Sequence, residues 1–471
     1  MSRVAPPPTS TSGPPGRREL VRVVPGARRR PPGASRREQG VALVLVLSTV
    51  SILGVVLYDM QESAAVAHAV GVARRDEVQA EFMARSGLQL TRLLVASEER
   101  IRTVVAPLYQ MLLRRPPPQL PVWTLADEVL APFCDWSNAR ERGDEAGIDF
   151  GAAQGLGETP GTCSIVAVAE NAKINVNDPL LRDGDEARRS VAMQMFALMG
   201  GYHAPSPFDP LFERPDAEGR HTSRLDVVSA LVDWWDGDTE RTLFDPGAGR
   251  VQSGGPEDDV YRTYADPYFV KNAPFDSLEE LRLVRGVGDD FWATFVEPVP
   301  DDLQARTVTV YGSGAVNPNE APPEVLLARL CSHLGDQPLC ADPREVAKFI
   351  ELVRTVRAIA PLPFFSRASD FLTFVEGGGG PHDLYPMLRA LLGADHPLLF
   401  RPVTIPADRR VAIENDFVTA ARILTIESTG VVGRARVRLR AVVNFHDQWT
   451  PPPPNAGRMP PLGVVHHYRV D

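Results

Sequence analysis

The strongest constraint on this chain is an uncharged run of 18 residues, Val41 to Tyr58, set directly behind the basic junction Arg36-Arg37-Glu38-Gln39-Gly40. A helix crosses a bilayer with about 20 apolar residues, so the run is just long enough to span one. An ordinary secretory signal would be followed by a small-residue cleavage site, and none is evident behind Tyr58. A cut in front of the run, after Gly40, would leave the apolar segment on the mature chain. From Val41 to Glu99 there is no proline, and only Gly54, Gly71 and Gly87 interrupt the helix formers. The stretch reads as one helix about 85 Å long at roughly 1.5 Å per residue. Past Asp59 it becomes amphipathic: Val66, Val70, Val78, Phe82, Leu90 and Leu94 are interspersed with Arg74, Asp76, Glu77, Arg85 and Arg92. The first part suits lipid, and the second suits one face of a globular body.

Charge is unevenly divided. Residues 1–40 carry nine Arg and two Glu, or +7, and the whole chain of 471 residues carries -10, which leaves -17 for the rest. A basic end of this kind belongs on the cytoplasmic side of a membrane. Its Pro, Gly, Ser and Arg content predicts a disordered leader. The acidic body argues against nonspecific nucleic-acid binding and suits divalent cations or basic partners. Four cysteines are present, Cys134, Cys163, Cys331 and Cys340, without a CxxC pair, so a zinc or thioredoxin-type site is not supported. In an exported body Cys331 with Cys340 is the easier disulfide, closing a short loop, and Cys134 with Cys163 is the other. The other reading is four buried free thiols.

Pro116-Pro117-Pro118 ends the helical pattern, and Gly161 to Val168 reads as a strand. Residues 185–375 show helical patterns cut by Pro and Gly. Strand character returns at Ala421 to Ser428 and at Arg434 to Phe445, where Val437, Leu439, Ala441 and Val443 alternate. Val464 to Val470 is a last strand. Early and late strands around a helical middle predict an α+β domain with an insertion. Ile174-Asn175-Val176-Asn177 is echoed by Val316-Asn317-Pro318-Asn319, each followed by an acid and a proline. That is either a weak internal repeat or two similar helix starts.

The best candidate for chemistry is acidic. Asp233, Asp236, Asp238 and Glu240 fall close together, and Glu257, Asp258 and Asp259 follow a Gly-containing loop. Calcium takes oxygen ligands from clustered carboxylates and backbone carbonyls, although the spacing is not that of an EF-hand. The plainer reading is a set of solvated loop acids. Trp234 and Trp235 read as packing residues beside them. Leu278 to Gly288 is similar to a helix-hairpin-helix element, but Asp289 and Asp290 follow at once and would repel phosphate. A structural hairpin is the favoured reading. No catalytic constellation emerges: there is no HExxH, GxSxG or Walker motif, and Gly377 to Gly380 lacks the Lys-Ser/Thr of a phosphate cradle. The chain does not read as an enzyme.

Taken with the Gly40 junction, four stretches resemble one family: KINVND at 173–178, LVDWWDGDTE at 231–240, the run from GGPEDDVY to RLVRGV at 254–287, and AVNPNEAPPEVLLARL at 315–330. They resemble GspK (general secretion pathway protein K), a minor pseudopilin of type II secretion. The resemblance implies cleavage after Gly40 by a prepilin peptidase, with methylation of Val41. It implies an α+β pilin-like fold: a long N-terminal helix packed on an antiparallel sheet, with a large α-helical insertion. The expected segments are a leader 1–40, the helix 41–100, the first part of the pilin-like domain 101–184, the insertion 185–390 and closing strands 391–471. It implies a single-pass inner-membrane protein with a periplasmic body at the tip of the pseudopilus. Its partners would be minor pseudopilins I and J, other pseudopilins and membrane lipid, with no nucleic acid. It also implies bound calcium, for which the acids above are the candidates. Pilins generally carry Glu at the fifth mature residue, whereas the GspK family lacks it; here that residue is Leu45. A carboxylate in lipid is costly unless paired, and a subunit that enters first has no neighbour ahead to pair with. The alternatives are a minor type IV pilin or adhesin, or a DNA-binding helix-hairpin-helix protein.

Overall fold

Helix α1 (Arg36–Ala96) runs for 61 residues without a break, as the absence of proline permits. The computed structural model describes residues 36–113, 116–134, 161–177, 184–215, 219–359, 363–380, 383–445 and 462–471. Residues 1–35 of the leader expected over 1–40, and the loop from Pro451 to Pro461, lie outside them. The chain divides into two units, one ending at Gly71 and the other beginning at Val72. In the first unit the apolar side chains of α1, among them Val44, Leu45, Ile52 and Leu57, are all exposed.

In the second unit α1 continues and is followed by α2 (Glu98–Leu113) and α3 (Ala126–Cys134). Four antiparallel strands form the main sheet in the order β1-β6-β7-β8. They are β1 (Thr162–Ala169), β6 (Ile423–Val432), β7 (Ala435–Asn444) and β8 (Val464–Val470). The hairpin from β6 to β7 closes with Val432 opposite Ala435. Gly433 in the two-residue turn has φ +58°, the left-handed conformation that such turns need. Alternation sends Leu424, Ile426, Val437, Leu439, Ala441 and Val443 into one core with Ala80, Met83, Ala84 and Leu88 of α1. The helix sits close to the sheet because the contact is built from small residues. A Cβ on Gly430 would collide with the Ala80 carbonyl and come within 2.7 Å of the Ala84 nitrogen, and one on Gly87 would run into the Ser428 hydroxyl. Cys134 of α3 is disulfide-bonded to Cys163 of β1.

Most of the described residues between β1 and β6 form an insertion with its own core. Its main helices are α4 (Gly184–Leu198), α5 (Arg224–Trp235), α6 (Pro323–Leu334), α7 (Pro343–Ile359), α8 (Ala368–Val375), α9 (Leu384–Leu392) and α10 (Ala407–Asn415). A second disulfide joins Cys331 to Cys340. Two short pairings complete the topology: β2 (Ile174–Asn175) lies parallel to β5 (Val308–Thr309), and β3 (Glu240–Asp245) forms a hairpin with β4 (Arg250–Pro256). The buried Glu170 carboxylate ties insertion to sheet. It accepts from Lys173 Nζ at 2.7 Å, from Thr425 of β6 at 2.7 Å, and from Thr309 of β5.

The Asn-x-Asn echo proves to be a structural repeat. Asn175 Oδ1 accepts from the Asn177 N–H at 2.8 Å, and Asn317 Oδ1 accepts from the Asn319 N–H at 3.0 Å. The second Asn of each pair then brackets the main chain of a distant Phe. Asn177 bonds N–H and C=O of Phe275 at 3.0 and 2.9 Å; Asn319 bonds N–H and C=O of Phe365 at 2.9 Å each. Each Asn pair precedes two helices, α4 and α5 in one copy, α6 and α7 in the other. Each Phe opens a helical hairpin whose turn holds a glycine of positive φ, Gly286 (+83°) or Gly377 (+90°). An acid of the chain itself follows each turn. Asp289 pairs with Arg282 at 2.5 Å, and Asp383 accepts the N–H groups of Gly379 and Gly380 at 2.9 and 2.7 Å.

Candidate metal centre

The acidic cluster is organised by the end of one helix and the hairpin after it. Ser223 caps α5 with a reciprocal bond to Asp226. At the other end Asp236 leaves the helix with φ -73° and ψ 164°, its N–H still donating to Val232 at 3.1 Å. From Asp236 the chain bends through Asp238 and enters β3 at Glu240. The β3–β4 hairpin brings Glu257 back alongside, where its N–H donates to the Thr239 carbonyl at 3.4 Å. Asn272 Nδ2 holds the Asp238 carbonyl at 2.7 Å from a third segment.

Of the seven acids proposed from sequence, the structure converges Asp236, Asp238 and Glu257, which each offer an oxygen within 4.8 Å of the others. Asp233 is buried beside them, but its Oδ1 accepts the Thr242 N–H at 2.7 Å. Glu240 is exposed at the start of β3, where its own N–H donates to Asp238 Oδ1 at 2.8 Å. Asp258 Oδ1 accepts from Val270 N–H at 3.0 Å, and Asp259 is exposed. Two contributors have no counterpart in the sequence reading. Arg188 of α4 approaches Asp236 at 3.6 Å and Asp238 at 3.1 Å, and nothing in the primary structure links it to the loop. Asn272 has φ +50°, a conformation Asn tolerates better than most side chains, so its place in a turn before Pro274 was a readable signal.

The electrostatics are unbalanced. Three carboxylates face one nearby guanidinium, and both Asp236 oxygens and Glu257 Oε2 are buried with no hydrogen-bond partner. Burial, joined by repulsion from Asp238, Asp233 and Glu257 and opposed by Arg188, pushes the Asp236 carboxyl up to about 7. Burial likewise raises Asp233 to about 7 and lifts Glu257 above the usual range. Buried unpaired carboxylate oxygens are costly, and a hard cation with oxygen ligands would satisfy them. The donor set holds no Cys or His, which fits calcium or magnesium better than zinc. Trp234 lies buried beside this loop against Tyr261 and Phe275, and Trp235 is half-buried.

The expected processing residues lie in α1 of the first unit, where Gly40 and Val41 are both helical and exposed.

No protein-family model matches the chain, and no curated protein matches it. Among solved structures it is similar to the GspK-GspI-GspJ complex of the type 2 secretion system from enterotoxigenic Escherichia coli, with 13% identity, 66% of this chain and 80% of that chain covered, and a TM-score of 0.35.

Proposed function

We propose that this chain is a minor pseudopilin of the type II secretion system, anchored in the inner membrane by residues 41–58 and placed at the tip of the periplasmic pseudopilus. The observation that carries the reading is α1. An exposed, uncharged helical run begins directly after Gly40, and the same helix goes on to pack by small residues on an antiparallel sheet. Leu45 at the fifth position after Gly40 supports a subunit with nothing ahead of it. A bulky insertion between β1 and β6 supports a head that blocks further addition. The work is mechanical, with no catalytic step.

Asp236, Asp238 and Glu257 would hold calcium. A bound cation would neutralise the loop acids and fix the β3–β4 hairpin against the end of α5. The test is mass spectrometry of the mature N-terminus from membranes, followed by capture with minor pseudopilins I and J. A methylated Val41 and co-purification of both partners are the expected results. A chain that keeps residues before Gly40 would end the pseudopilin reading, and a methylated Val41 with other partners would favour a minor type IV pilin.

A further inference from the structure

A second site lies away from the acidic loop. A cleft of about 940 Å³ opens between the two halves of the internal repeat, walled by α4, the C-terminal end of α6, α10 and the tip of the β3–β4 hairpin. Its volume is at the upper end for ligand sites, which occur preferentially where substructures meet. Three cationic or polarisable groups line it: Arg189, His333 and Arg409. Arg189 is exposed and has no ion pair among the described residues. Its guanidinium lies over the hairpin tip, so that a Cβ on Gly249 would come within 3.0 Å of Nη2. Arg409 spends one nitrogen on a main-chain carbonyl, that of His333, at 3.1 Å.

His333 is held from behind. Its Nε2 lies 2.5 Å from Asp416 Oδ2, and a carboxylate can only accept, so Nε2 carries the hydrogen. Asp416 is bonded in turn to Arg329 at 2.6 Å, and Arg329 to Ser190 at 3.1 Å. The side chains of Arg329 and Asp416 are 0% and 2% exposed, whereas His333 is 27% exposed. Burying such a pair is expensive, and here it fixes the tautomer and orientation of one ring at the edge of an open cleft. That is the arrangement by which supporting groups preorganise a binding side chain.

The same cleft carries Glu186, Asp336 and Asp408, together with Tyr202. A purely anionic ligand such as a nucleic acid or polyphosphate would meet these three carboxylates, and an apolar one would strip water from all the charges. A ligand offering carboxylate, cation and aromatic groups along one strand satisfies every wall. We propose that this cleft binds an extended polypeptide segment that carries an acidic side chain, with Arg189 and Arg409 receiving its carboxylate. The proposal goes beyond the pseudopilin reading and does not depend on it.

The test uses the full chain in detergent micelles as bait for a phage-displayed library of random dodecapeptides, with heparin as a polyanion control. Enriched peptides should carry Asp or Glu near an aromatic residue. Their affinity should fall by about tenfold or more in Arg189→Glu, the loss expected for a charge-assisted bond. Ala412→Trp, which fills the cleft without changing its charge, should weaken them as well, and both variants should keep the parent circular dichroism spectrum. No enrichment over the unselected library would overturn the proposal. So would binding to both variants as tight as to the parent, or heparin binding that Arg189→Glu removes while peptides are unaffected. Capture of pseudopilins I and J by Arg189→Glu reports separately on the pseudopilin reading.

Discussion

Replacing Asp236 by Asn should act in opposite directions with and without calcium. In the metal-free protein the Asp236 carboxyl ionises near pH 7 when folded, against 3.8 as the ordinary value. The folded state therefore binds this proton more tightly than the unfolded state between those limits. The cost of ionisation grows as pH rises from about 4 and is complete above about 7. At about 1.4 kcal/mol per pH unit the ceiling is about 4 kcal/mol at pH 8, and water at the loop reduces it to about 2 kcal/mol. Asp236→Asn removes that cost, so in excess chelator at pH 8 the variant should melt a few degrees higher than the parent, or at least no lower. Calcium reverses the order. An ion at about 100 times its dissociation constant stabilises the folded state by about 2.7 kcal/mol, and the variant should lose most of that increment. For the parent, the calcium increment should be larger at pH 8 than at pH 5, where protons already neutralise the loop. Differential scanning calorimetry at both pH values, with calcium and with chelator, decides the matter. A variant that melts lower in chelator and keeps the full calcium increment would refute both the electrostatic account and the choice of ligand.

Three further perturbations test the fold. Gly430→Ala should lower stability by about 1–3 kcal/mol, the usual cost of overpacking, because its Cβ would strike the Ala80 carbonyl. Gly379→Ala, with open space around it, should change urea midpoints little. Glu320, whose carboxylate accepts from Trp123 Nε1 at 3.2 Å and from Asn317 at 2.8 Å, has its carboxyl pushed up to about 7 by burial, against the pull of the Trp123 bond and Arg357. Its stabilising effect is full below the unfolded value near 4.5 and is lost as pH rises through 7. The parent should therefore lose about 1.4 kcal/mol through this group between pH 6 and pH 8. Glu320→Gln in saturating calcium should flatten that part of the chemical-denaturation profile, and an unchanged profile would count against the assignment.

How legible each part was depends on how local its cause is. The helix α1 was readable because the signal lies within the segment itself: no proline, an apolar run, then amphipathic spacing. The closing strands were readable for the same reason, since alternation in Val437, Leu439, Ala441 and Val443 is a period of two that a sheet face imposes. The closeness of α1 to β6 was not readable. Gly430 looks like an ordinary strand residue until Ala80 and Ala84 are set against it from some 350 positions away. Charge density picked out the acidic stretch, but density does not separate Asp233, which caps the Thr242 N–H, from Asp236, which has nothing to bond. That separation depends on where the β3–β4 hairpin returns the chain.

The repeat explains why the acids gather in one half only. Both halves lead from an Asn pair through two helices to a Phe held by the second Asn. In the second half the connection from α7 to Phe365 is short, residues 360–364. In the first half the matching connection runs over residues 236–274 and contains β3, β4, Glu257 and Asn272. The candidate metal centre is thus an elaboration of one repeat at the end of its second helix, and Arg188 reaches it from the first helix of the same repeat. Long connections in a compact domain are uncommon unless they carry function. This one is held by Asn272 and by the Thr239 carbonyl, while the mutual repulsion of three acids works against its closure. In the proposed reading a bound cation would offset that repulsion. The clamp between Asn177 and Phe275 fixes the far end of the loop whether or not a cation is bound. Calcium should therefore order the hairpin locally while leaving the helices on either side in place.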